Sequence, residues 1–142
     1  MRPDYFEGIL QLRNPNEKVL DFVHHSIKNR KDVQVAKTSK SPNGIDIYLS
    51  SQKYLIIIGR KLQENFGGEI NITRRIHTRS RSTSKDIYRV TVLFRLPYFK
   101  KGDIITHRGK KLLILNLGRK VFCRDLETGR KITLRYDKLR EL

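Results

Sequence analysis

The sequence predicts an α+β fold: two helices on an antiparallel sheet, followed by a small all-β unit. Three observations lead there. Residues 14–30 and 51–66 carry apolar side chains at helical spacing. The segments between and around them alternate apolar with polar residues, as half-buried strands do. Beyond Leu96-Pro97 no helical stripe remains, and short apolar runs are separated by turn signals.

Tyr5–Arg13, with Ile9, Leu10 and Leu12, reads as the first strand. Asn14 then caps a helix, with Pro15 at its first position and Glu17 three residues after the cap. That helix runs to about Arg30, with Val19, Leu20, Val23 and Ile27 on one stripe and Phe22 beside it. Lys28, Arg30 and Lys31 suit the negative pole of its dipole. A strand follows at Val33–Thr38, then a turn cluster ending in Asn43-Gly44, a strong hairpin signal, and the return strand Ile45–Leu49. Ser50 or Ser51 caps the second helix, which buries Leu55, Ile58, Leu62 and Phe66 and stops at Gly67-Gly68. Ile70, Ile72 and Ile76 mark another strand. Ile87–Leu96 is the last of this unit, with Tyr88, Val90, Val92, Phe94 and Leu96 on one side.

The order β-α-β-β-α-β-β is related to the ferredoxin-like pattern. Residues 1–97 are expected to form this unit and residues 98–142 a second. The second carries the runs Ile104-Ile105, Leu112–Leu115, Val121-Phe122 and Ile132–Leu134, split by Arg108-Gly109, Leu117-Gly118-Arg119 and Thr128-Gly129. Five short strands in that length match an SH3-like barrel. A unit that small is expected to pack against the first one.

Composition narrows the function. Lys and Arg number 31 against 14 Asp and Glu, a net charge of +17. Residues 1–36 are nearly neutral; the surplus lies in residues 37–142. Charge of one sign at this density repels itself, and a polyanion relieves the repulsion. Nucleic acid is the usual one, because Lys and Arg displace its condensed counterions. The longest apolar stretch, Tyr54–Ile58, is far too short to span a bilayer, and no apolar targeting segment follows Met1. One cysteine, Cys123, forms no internal disulfide and no zinc site alone. A cytoplasmic protein without membrane contact, metal or cofactor is expected.

Two groups of cations are candidate RNA contacts. Arg74, Arg75, Arg79, Arg81 and Lys85 lie on or beside the segment His77–Lys85, which lacks apolar residues and reads as a basic arm rich in hydroxyls. Lys100, Lys101, Arg108, Lys110, Lys111, Arg119 and Lys120 flank the turns of the second unit, where they could gather into one charged rim. Tyr98 and Phe99 beside them suit either base stacking or a domain junction. Catalytic signals are weak. His24 and His25 diverge on a helix. His77 and His107 lack a carboxylate partner, and Asp46 is a lone carboxylate facing away from Ile45 and Ile47. There is no phosphate-binding glycine loop or nucleophile elbow. Cys123, between Phe122 and Arg124, reads as a small buried hydrophobe.

Several segments carry a family resemblance. Tyr5–Arg13, Asn43–Ser51, Asp86–Thr91, Arg95-Leu96-Pro97 and Lys101–Ile105, in this order, resemble the large-ribosomal-subunit export adaptors first named for nonsense-mediated mRNA decay, in the style of their archaeal members. The resemblance covers nearly the whole chain. It implies a factor that binds the large ribosomal subunit and its rRNA during maturation or quality control, with ribosomal proteins as further contacts. It also implies β-barrel modules, in line with the reading of residues 98–142. Family members begin with paired Cys-x-x-Cys zinc modules. With Cys123 alone, this chain either starts after them or has lost them. The expected function is therefore non-enzymatic rRNA and large-subunit binding. An adaptor for acidic proteins and an RNA-processing enzyme are the alternatives.

Overall fold

The computed structural model describes residues 5–79 and 86–139. Its first part is β1 (Gly8–Arg13), α1 (Glu17–Lys28), β2 (Val35–Ser41), β3 (Gly44–Leu49), α2 (Gln52–Phe66), β4 (Glu69–Arg79) and β5 (Asp86–Arg95). The second is β6 (Ile104–His107), β7 (Lys110–Leu117), β8 (Val121–Asp125), β9 (Lys131–Leu134) and a 3-10 turn at Tyr136–Lys138. The expected order β-α-β-β-α-β-β is the one that forms.

The first sheet has the order β2-β3-β1-β5-β4. It is mixed, which corrects the expectation of an antiparallel sheet. β1 pairs antiparallel with β3 but parallel with β5, Leu10 standing between Ile47 and Val92. The reason lies in the connections. Helix α2 carries the chain from β3 to β4, a strand running the same way. The β4–β5 hairpin then reverses it, so β5 emerges parallel to β1.

Both helices lie on one face of this sheet. Their buried residues Val19, Val23, Leu55, Ile58 and Leu62 join Leu10, Leu12, Ile47, Leu49, Val90, Val92 and Phe94 in one core. Each such fully buried side chain contributes about 1.5–3 kcal/mol. Leu20, placed on the α1 stripe by its spacing, is instead 39% exposed. Strand alternation sends the other half of each strand to the opposite face, which no helix of the described residues covers.

Local chemistry explains the element ends. Asn16, not Asn14, caps α1: its Oδ1 accepts from the Val19 amide at 2.9 Å. Asn14 instead takes φ +52 at the sharp exit from β1, and its Nδ2 donates to Leu96 O at 2.8 Å. Asparagine tolerates that left-handed conformation better than most residues. Ser51 caps α2 by accepting from the Tyr54 amide, and Gly67 ends it at φ +66. The β2–β3 turn also differs from expectation. Ser41 pairs with Gly44, so Pro42 and Asn43 form the loop, and neither has positive φ. The left-handed two-residue hairpin is at Arg108-Gly109, with φ of +51 and +78 between the paired His107 and Lys110.

In the second part, four strands form a meander, β6-β7-β8-β9, among the described residues, where five strands were expected. Phe99, Leu112, Ile114, Val121, Cys123, Tyr136 and Leu139 make a separate core. The two sheets meet at the end of α2. Tyr136 bridges them: its hydroxyl accepts from the Gly68 amide at 2.8 Å and donates to Gly118 O at 2.7 Å. A small cavity lined by Arg95, Pro97, Phe99, Tyr136 and Leu139 lies beside this contact.

Candidate nucleic-acid interface

Strand geometry decides where the expected RNA contacts go. Arg74 and Arg75 are both exposed on β4, the edge strand of the first sheet. Being neighbours in a strand, they point to opposite faces. Arg74 stands in the row of Gly8 and Val90, on the helix side, while Arg75 pairs with Arg89 on the helix-free side. The arm is also more regular than its composition suggests. β4 runs on to Arg79 and β5 starts at Asp86, so the segment between the strands is shorter than the loop expected from His77. Arg81 and Lys85 lie outside the described residues, as does the side chain of Arg79.

The second group of cations does not form one rim. In an antiparallel meander, alternate turns fall at opposite ends. Arg108, Lys110 and Lys111 stand at the start of β7, and Arg119 and Lys120 beyond its finish. The eight residues of β7 hold these ends roughly 24 Å apart. Near the start, Lys110 Nζ lies 3.8 Å from Asp125, so part of that charge is compensated. The Asp125 carboxyl accepts from the Glu127 and Thr128 amides. The Glu127 amide, with Thr128 and Lys110 assisting, holds its pKa below the usual carboxylate range. Lys100 and Lys101 occupy an exposed turn at the junction, where the Lys100 amide donates to Asp103.

At the other end the structure gathers residues that sequence spacing did not connect. Arg119 lines an open cleft with Arg60 and Gln63 of α2 and Ile70 and Ile72 of β4. The cleft continues past Lys120, Asn71 and Arg135. Carboxylates share it: Glu64 and Glu69 line it, and Asp137 binds the Arg135 guanidinium through both oxygens, at 3.1 and 2.7 Å. That guanidinium lowers the Asp137 pKa. Arg60 could not be found from the sequence because it lies on the α2 surface, and only the docking of the β7–β8 turn brings Arg119 to it.

Most cations nonetheless remain available. Among the described residues, Arg74, Arg75, Lys100, Lys101, Arg108, Lys111, Arg119 and Lys120 form no ion pair.

The remaining sequence candidates have local roles. Asp46 accepts from Arg13 Nη1 at 2.7 Å, an ion pair across neighbouring strands. Phe99 is buried in the second core and cannot stack a base, whereas Tyr98 is 65% exposed. Cys123 is fully buried, and burial pushes its thiol pKa up. His25 contacts Asn29 at 3.0 Å, and no cluster of metal-ligating side chains occurs among the described residues. No helix of the described residues is long and apolar enough to cross a membrane.

Fold and surface together define a class: a helix-backed mixed sheet joined to a small antiparallel sheet, with unpaired cations distributed over both. Residues 5–96, the whole of the first sheet and its helices, match the family model described as NMD3, second domain. The chain belongs to the NMD3 family, a ribosome-associated adaptor family linked to the large ribosomal subunit. No curated protein matches the chain.

Proposed function

We propose that this protein is a non-enzymatic factor that binds the large ribosomal subunit through its rRNA, in subunit biogenesis or quality control. The family match over residues 5–96 carries the reading. The charge supplies the means: a surplus of 17 cations, most of the exposed ones without a carboxylate partner, suits a folded polyanion. Two units, 1–97 and 98–142, act as separate contact modules, the second of SH3-like type. Their separate cores support that division. Phosphate contacts come from Arg74, Arg75, Arg79, Arg81 and Lys85 on the arm. Further contacts come from Lys100, Lys101, Arg119 and Lys120 near the junction, and from Arg108, Lys110 and Lys111 at the far hairpin.

Co-sedimentation with purified large and small ribosomal subunits across a salt series tests this. The protein is expected to pellet with the large subunit and to be released steeply as salt rises. Equal partition between the subunits, or no pelleting at low salt, overturns it. Labelled RNA incubated with the protein is expected to remain intact.

A further inference from the structure

The five-stranded sheet has one face packed on helices and one without them, and the open face is chemically distinctive. Residues between the buried positions of β1, β3 and β5 point there by alternation. The face carries Lys37, Tyr48, Ile9, Thr91 and Thr73 in one row across all five strands. Four inter-strand spacings make that row about 19 Å wide. Phe6 adds a second ring, 4.9 Å from Tyr48 and edge-on to it at 87°.

Cations lie on these rings. Lys37 Nζ is 4.4 Å from the Tyr48 centroid, and Arg89 Cζ is 3.9 Å from the Phe6 centroid. Arg75 stands beside Arg89 in the β4–β5 register. None of these three cations makes an ion pair among the described residues. Among the described residues, two acidic groups lie toward its other end, where Asp46 pairs with Arg13, and Glu69 lies 3.7 Å from Arg95. Glu7, at the near end, accepts from the Gln52 amide and the Tyr5 hydroxyl and forms no ion pair among the described residues. The upper half is therefore cationic and aromatic, and its centre offers Ile9 and threonine hydroxyls.

We infer that this helix-free face binds a single-stranded RNA segment. The inference deepens the rRNA-binding reading by naming the form of RNA and the surface. Charge complementarity selects the occupant: three uncompensated cations beside aromatic rings match a polyanion with flat bases. A guanidinium held over a phenyl ring presents its outer plane to a base, and its N–H edges to phosphate. Unpaired bases stack on aromatic or guanidinium planes, whereas the bases of a duplex are enclosed and offer no such surface. The width of the row suits about two or three bases, as on other sheet platforms. Pre-stacking Arg89 on Phe6 and Lys37 on Tyr48 restricts side chains that would otherwise lose entropy on binding.

Fluorescence anisotropy with a labelled 12-nucleotide single-stranded RNA of mixed sequence, and with a duplex RNA of the same length, tests this on the full chain. The triple variant Lys37→Ala, Arg75→Ala, Arg89→Ala is expected to lose at least tenfold in affinity for the single strand. Its log–log salt slope should be shallower by about 2. Arg89→Lys keeps the charge but loses the plane, and is expected to bind the single strand several-fold more weakly than the parent. The control Lys18→Ala, Lys61→Ala, two exposed cations on the helices, should retain single-strand affinity within twofold.

Wild-type affinity for the single strand in a folded triple variant overturns the inference. It leaves large-subunit binding to be judged by co-sedimentation alone. If the parent does not bind the single strand but the triple variant loses co-sedimentation, the face docks on a protein and the inference also fails. If the variants behave as expected while the parent does not pellet with large subunits, the RNA surface stands and the ribosomal reading falls.

Discussion

Removing the Tyr136 hydroxyl tests how the two sheets are joined. Tyr136→Phe keeps the ring, which is 7% exposed in the second core, and deletes one oxygen. That oxygen serves two backbone groups from different sheets, the Gly68 amide at 2.8 Å and the Gly118 carbonyl at 2.7 Å. Gly68 is itself buried, so its N–H is left without a partner and out of reach of bulk water. Two lost hydrogen bonds, one leaving a dry donor, cost about 2–3 kcal/mol. For a chain of this size that lowers Tm by roughly 5–12 °C. Urea titration followed by far-UV circular dichroism gives the free energy directly, and its m value shows whether the sheets still unfold together. A loss below about 0.5 kcal/mol would refute the reasoning, because it would mean that the oxygen is replaceable by solvent.

Gly67→Ala should destabilise by about 2 kcal/mol or more, measured in the same titration. The residue has φ +66, and an added Cβ would stand 2.5 Å from Leu117 Cβ on the other sheet. Asp125→Asn should lower thermal stability near neutral pH, and the difference from the parent should shrink as pH falls below about 4. The sign follows from the lowered folded pKa: stability from the charged carboxylate is present above its unfolded value and lost as pH drops through the folded one. Arg74→Ala with Arg75→Ala should weaken large-subunit binding and reduce the salt slope by roughly 1.4–1.8, with Tm unchanged; an unaltered slope removes β4 from the interface.

The order of elements was legible because it depends on periodicity. The α2 stripe Leu55, Ile58, Leu62 and the β5 alternation Val90, Val92, Phe94 are each written in one short segment, and all six side chains are buried. The end of α2 at Gly67 was legible for the same reason: a left-handed residue is a local requirement. Capping was less so. Asn14 and Asn16 are equivalent candidates along the chain, and Asn14 was taken up by the bond to Leu96 O, 82 residues away.

What the sequence by itself determined is the stock of parts: the α+β pattern, the excess of cations, and the family segments within residues 5–96. Where those cations stand was decided only by tertiary structure. Alternation sends Arg74 and Arg75 to opposite faces, the length of β7 separates Arg108 from Arg119, and docking of the second sheet carries Arg119 to Arg60. The parallel β1–β5 pairing puts Arg89 and Phe6 side by side on the uncovered face. Periodicity is a property of neighbouring residues, whereas a binding surface is assembled from strands that meet only when the sheet closes its order.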